Sequence, residues 1–182
     1  LRSLPLCARY ALIGQTPQPG YTWVGAGPAP GQQAVIDAGS LQYPCMEYAN
    51  TNRVSIQAGA GPSAVLPFST PDDPLDNYAA VRDGVVYFSF ALRVPDLTGL
   101  GDAGYYIAGL SPIEQPATTT PIQIYVRVLL RTAPGGYQVG LVKSSNLAAD
   151  FQWDPRIFTP DDTLLLVGAY LFQSGPDTAW LW

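Results

Sequence analysis

Residues 84–94 read Gly-Val-Val-Tyr-Phe-Ser-Phe-Ala-Leu-Arg-Val. Val86, Phe88, Phe90 and Leu92 fall on one alternating face, and Val85, Tyr87, Ser89, Ala91 and Arg93 on the other. A period of two with one apolar face predicts a half-buried β-strand. Residues 122–132 repeat the pattern. Ile124, Val126, Val128 and Leu130 line one face there, and Tyr125, Arg127, Leu129 and Arg131 the other. Pro134-Gly135-Gly136 predicts a hairpin turn that returns as a strand over 137–143. Residues 162–172 form the last long strand. Both faces of 164–171 are apolar, which predicts a central place in its sheet. A turn at 174–177 leads into a final strand over 178–182.

Shorter runs predict strands over 21–24, 33–38, 53–57, 63–68 and 104–110. Residues 146–151 have room for one helical turn. No segment carries a sustained helical period with caps. About ten short strands with turn signals between them predict an all-β, antiparallel β-sandwich and not a βαβ fold. Pro17, Pro19, Gly20, Gly25, Gly27, Pro28, Pro30 and Gly31 make residues 1–32 a loop-rich lead-in. Residues 33–182 are expected to form one sandwich domain.

Composition agrees with a folded chain. Apolar residues are 47% and charged residues 13%, against about 25% charged in ordinary globular proteins. The 18 Gly and 18 Pro are spread without a period, which excludes collagen and fits many turns. Nine Lys and Arg against a net charge of −5 leave no basic run, so a nucleic-acid partner is not expected. The longest apolar stretches fall far short of the roughly 20 residues of a membrane span. The chain has no histidine, and so lacks the commonest general base and metal ligand.

Further pieces are Leu41-Gln-Tyr-Pro44, Tyr106-Ile-Ala-Gly-Leu110, Tyr125-Val-Arg127, Tyr137-Gln-Val-Gly-Leu-Val-Lys143, and Asp162-Thr-Leu-Leu-Leu-Val-Gly-Ala-Tyr170. Together with the strand at 86–94, and in this order, they resemble the concanavalin A-like lectin/glucanase superfamily, the LamG-like jelly rolls. More narrowly, they resemble domains of large secreted bacterial proteins. The resemblance spans residues 33–182. It implies a jelly roll, an extracytoplasmic setting and a carbohydrate-binding or adhesive role. The closing Trp180-Leu-Trp182 looks like a strand that runs on in the family. The chain therefore reads as a fragment whose last sheet strands would follow.

Glucanases of the superfamily carry paired carboxylates in alternation on one strand, because retaining hydrolysis needs two about 5–5.5 Å apart. Here Glu47 stands alone and Glu114 lies in a loop between prolines. No histidine can activate a serine or cysteine, and no Gly-x-Ser-x-Gly elbow is present. An enzyme is not expected, and no cofactor. Calcium is the one metal to weigh. Asp72, Asp73 and Asp76 are its candidate ligands, and a solvated acidic turn is the alternative. Cys7 and Cys45 either close one disulfide, as an oxidising compartment favours, or stand as inert thiols.

Sugar binding needs exposed aromatic rings with polar groups around them. Tyr87, Tyr125 and Arg127 point away from the predicted core face, and form such a patch if their strands are neighbours. Ordinary cross-strand pairing on a solvated face is the alternative. Trp23, Trp153, Trp180 and Trp182 are expected in the core. The expected function is a non-catalytic module, secreted or at the cell surface, that binds glycan or mediates adhesion. The alternative is a structural or assembly domain that meets neighbouring domains of the same protein.

Overall fold

The computed structural model describes residues 10–11, 23–26, 34–44, 52–57, 63–66, 84–111, 124–174 and 176–182. Among them are twelve strands. These are β1 (Tyr10–Ala11), β2 (Val24–Ala26), β3 (Val35–Ala38), β4 (Asn52–Ser55), β5 (Ser63–Val65), β6 (Gly84–Arg93), β7 (Tyr105–Leu110), β8 (Val126–Ala133), β9 (Gly136–Val142), β10 (Gln152–Trp153), β11 (Thr163–Phe172) and β12 (Thr178–Leu181). Ala148–Asp150 makes a single 3-10 turn. Every strand pairing is antiparallel. β1 and β10 escape the sequence pattern because two residues cannot show a period.

The chain divides into two compact units. The first comprises residues 1–40, 46–80 and 113–122, and the second residues 41–45, 81–112 and 123–182. In the first, β1, β3 and β4 form a three-stranded sheet with β3 in the middle, and β2 pairs with β5. Arg53 Nη1 donates to the Ala38 carbonyl at 2.9 Å, and the Ser55 hydroxyl donates to the Asp37 carboxylate.

The second unit is a β-sandwich. One sheet runs β10-β9-β8-β7 and the other β12-β11-β6. β11 is the middle strand of its sheet, as its two apolar faces predict. Val128, Leu130, Tyr137 and Val139 come from the four-stranded sheet. They form one buried cluster with Leu166 of the three-stranded sheet. Phe88, Phe90, Leu92, Leu164 and Leu181 pack against that cluster. This is the alternating face read from residues 84–94, now turned to the core. Residues 126–142 turn tightly through Pro134-Gly135. Proline fixes the first central residue, and Gly135 takes φ 91°, the combination a type II turn demands.

Two glycines make room for aromatic rings, one inside the core and one on the outer face of the four-stranded sheet. Gly168 is the register partner of Phe88, and the Phe88 ring occupies the space a Cβ at 168 would need. Gly140 is the partner of Trp153, and a Cβ there would stand 2.5 Å from the indole. Both sites are closed to larger residues by contact rather than by backbone shape.

Candidate functional site

The register of the three-stranded sheet fixes what its outer face presents. On β6 the outward residues are Val85, Tyr87, Ser89, Ala91 and Arg93, the alternates of the core-facing set. Tyr87 pairs with Ala169 of β11, and Ala169 pairs with Trp180 of β12. Tyr87, Ala169 and Trp180 thus form one row across the three strands. The next row is Ser89, Val167 and Trp182, because Val167 and Trp182 exchange backbone hydrogen bonds of 2.9 and 2.8 Å. Tyr87 is 68% exposed, Trp182 61% and Trp180 41%. Ala169, the small residue between two large ones, is buried. The Trp180 and Trp182 rings lie near parallel, at 24° and 6.4 Å between centroids.

This face is almost uncharged. Its one charged outward residue is Arg93 at the far end of β6, where the guanidinium meets Asp161 at 3.6 Å and the Pro160 carbonyl at 3.3 Å. The hairpin that carries Trp180 is held by its own polar network. Tyr170 donates its hydroxyl to Asp177 Oδ2 at 2.7 Å, and the Gln173 backbone N–H donates to Asp177 Oδ1 at 3.2 Å. Lys143 donates to the Asp177 carbonyl. The Tyr170 hydrogen bond holds the Asp177 carboxyl below the usual aspartate range, against a smaller opposing effect of burial. Burial, and then Asp177, push the Tyr170 hydroxyl up.

The outer face of the four-stranded sheet is built differently. Tyr106, Leu129, Gly140 and Trp153 form a row across β7, β8, β9 and β10. The Trp153 indole lies over Gly140, and the Arg131 guanidinium sits 4.3 Å from the centre of that ring. Arg131 donates to Gln138 Oε1 at 3.0 and 2.8 Å, and Gln138 Nε2 donates to the Asp154 carbonyl at 2.8 Å. Leu129, although outward by alternation, is 2% exposed. Trp153 covers Gly140 and the polar groups around it pair among themselves, while Tyr106 at the other end of the row is 42% exposed.

The sequence-predicted patch is divided by this topology. Tyr87 stands on the open face, whereas Tyr125 and Arg127 belong to the strand region of the other sheet. Tyr125 precedes β8, where alternation no longer applies. Its ring packs inward, 5.4 Å from Tyr170 and 6.3 Å from Phe172. Arg127 donates to Asn146 Oδ1 at 2.9 Å and to the Ser145 carbonyl, tying down the loop after β9. Alternation tells which way a residue points, not which strands are neighbours.

Trp180 and Trp182 were expected in the core and are exposed instead. In Thr178-Ala-Trp-Leu-Trp both alternating sets contain apolar residues, so the sequence alone cannot choose between them. Pairing with β11 sends Leu181 inward and both tryptophans out. Trp153 is partly buried on the other sheet. Asp72, Asp73, Asp76, Cys7, Cys45, Glu47 and Glu114 lie outside the described residues. Among the described residues no three His, Cys, Asp or Glu gather into a group able to hold a metal ion. No helix among them is long and apolar enough to cross a membrane.

Exposed aromatic rings on an almost uncharged sheet face can stack against the apolar face of a ring-shaped ligand, or bury against another protein. No protein-family model matches the sequence, and no curated protein or solved structure matches it either.

Proposed function

We propose that this chain is a non-catalytic β-sandwich module of a secreted or cell-surface protein, of the concanavalin A-like jelly-roll kind. In this reading it binds carbohydrate through Tyr87, Trp180 and Trp182. The observation that carries the proposal is the exposure of three aromatic side chains on one uncharged sheet face. A pyranose ring has an apolar C–H face that stacks on an aromatic face. Its edge hydroxyls need polar neighbours, which Ser89 and Thr178 supply beside the rings. Large exposed aromatics are uncommon on a domain that has no partner for them.

The test is a glycan array probed with the folded domain, followed by Tyr87→Ala and Trp182→Ala. Binding by the parent and loss in both variants, with melting temperatures unchanged, is the expected result. A folded domain that binds no glycan would overturn the reading. The face would then be assigned to assembly with a neighbouring domain, for which the exposed Val85 beside Tyr87 is the supporting observation. Incubation with β-glucan, agarose or carrageenan should release no reducing ends. Their release would overturn the non-catalytic part.

A further inference from the structure

We infer that the open edge of β6 pairs with the same edge of a second copy of this chain, antiparallel and about a two-fold axis at Ser89. Two three-stranded sheets then become one six-stranded sheet. The inference goes beyond the carbohydrate reading and does not rest on it.

The backbone comes first. Val167 of β11 exchanges both of its backbone hydrogen bonds with Trp182, so its N–H and C=O face β12. In an antiparallel ladder these groups alternate from side to side along a strand. Leu166 and Gly168 therefore turn theirs toward β6, where they meet Phe90 and Phe88. The N–H and C=O groups of Val85, Tyr87, Ser89 and Ala91 point the other way. On that side β6 has no neighbouring strand among the described residues. Natural edge strands are kept from pairing with other chains by short length, proline, inward-pointing charge or a bulge. β6 runs for ten residues, contains no proline, and keeps an unbroken register with β11. Its one charged residue is Arg93, at its end.

The core side of the strand agrees. Val126, Val128 and Leu130 of β8, and Leu166 of β11, are at most 6% exposed. The inward residues of β6, which are Val86, Phe88, Phe90 and Leu92, are only partly buried. This sheet has three strands against the four of its partner sheet, and a further strand beside β6 covers those four side chains.

Self-complementarity selects the occupant. A two-fold contact brings the same surface together twice, and pairing the edge with itself over its full length sets Ser89 opposite Ser89 of the second copy. Tyr87 then stands opposite Ala91, a large residue against a small one, and Val85 opposite the aliphatic stem of Arg93. On the inner face Phe88 meets Phe90 and Val86 meets Leu92, so each half-buried side chain gains an apolar cross-strand neighbour. The two Arg93 residues lie at opposite ends of the pairing, roughly 27 Å apart along the strand. That is well beyond the screening length of about 8 Å at physiological salt. The net charge of −5 on each chain opposes approach at long range, where the same screening weakens it. Both aromatic faces emerge on one side of the joined sheet.

Sedimentation velocity of the whole chain at several concentrations tests this, with circular dichroism as the check on folding. The parent should show a concentration-dependent dimer. Ser89→Lys and Ser89→Asp each set two like charges opposite one another, and each should weaken the dimer about tenfold or more. Mixed in equal amounts they should associate at least as tightly as the parent, because lysine then faces aspartate. Trp182→Ala, on the far strand of the sheet, should dimerise as the parent does. Val85→Lys and Val85→Asp make the same test at a second position, opposite Arg93. There the lysine should weaken the dimer and the aspartate should not. A parent that stays monomeric overturns the inference. A dimer that survives both Ser89 substitutions, or is lost in a folded Trp182→Ala, overturns the assignment to this edge. Loss in both Ser89 variants without recovery on mixing, or the opposite order at Val85, overturns the register. A dimer with no affinity for glycan leaves the inference standing and counts against the carbohydrate reading alone.

Discussion

The two outer faces of the sandwich contain similar residue types and treat them in opposite ways. On the four-stranded sheet a tryptophan lies down over a glycine, an arginine caps it, and a glutamine takes up the arginine's donors. On the three-stranded sheet the row partner of the tryptophan is an alanine that already belongs to the sheet's floor, and no arginine reaches the ring. An aromatic residue closes a surface when its cross-strand neighbour leaves room for it and a polar partner finishes the edge. Where those are missing, it stays available. The difference between the covered Trp153 and the exposed Trp180 and Trp182 lies in the neighbours of each tryptophan.

The sharpest way to break the comparison is through the core that both faces share. Phe88→Ala removes a ring packed over Gly168 and should cost about 3–5 kcal/mol. Tyr87→Ala, one residue away on the open face, should stay within roughly 0.5 kcal/mol, as exposed substitutions usually do. Urea denaturation of both variants checks this, and equal losses would place Tyr87 in the core. Next in size is Gly140→Val. It forces the Trp153 indole off the closed face, and overpacking of that kind costs about 1–3 kcal/mol. Tryptophan emission should shift to the red as Trp153 meets water. An unshifted spectrum with parental stability would mean the ring does not lie on Gly140.

A smaller effect of opposite sign is expected at Tyr137. Its hydroxyl is fully buried with no hydrogen-bond partner among the described residues. Burial, helped by Asp162, pushes its pKa up to about 12. Tyr137→Phe should therefore stabilise the domain by about 1 kcal/mol, because an unsatisfied buried hydroxyl is removed with little change of shape. A lower denaturation midpoint would show that the hydroxyl has a partner. The smallest effect concerns the hairpin behind the open face. The Asp177 carboxyl is held below its ordinary value of 3.8 in the folded chain. Its contribution to stability is therefore full above that pH, and is lost as the pH falls through the lowered value. Acid titration of Asp177→Asn should lack that part of the loss, and a superimposable titration would remove Asp177 from the network.

What the sequence revealed follows from the length of each pattern. Ten residues of alternation in β6 were enough to orient Phe88 and Phe90 toward the core, and the two apolar faces of residues 164–171 were enough to centre β11. The two-residue β10 carried no pattern, so the cover that Trp153 gives the second sheet was invisible. The candidate face was half legible. Tyr87 stood out because its strand has one clearly apolar side. Trp180 and Trp182 did not, because every alternative for their short strand was apolar. Pairing between β6 and β11 spans some eighty residues of chain, and no local signal encodes it. Tyr125 and Arg127 were joined to Tyr87 for the same reason, and the strand order separates them.

The fit of the Phe88 ring over Gly168 has a consequence for how the sequence can vary. Any side chain at 168 collides with the ring, and any loss of the ring leaves a void above 168. Neither position can change freely alone, but an exchange of volume between them keeps the space filled. In descendants of this chain the two sites, eighty residues apart, should therefore be inherited as a unit. A larger residue at 168 would appear only in company with a smaller one at 88. A double-mutant cycle on Gly168→Ala and Phe88→Leu would measure that dependence as a coupling energy.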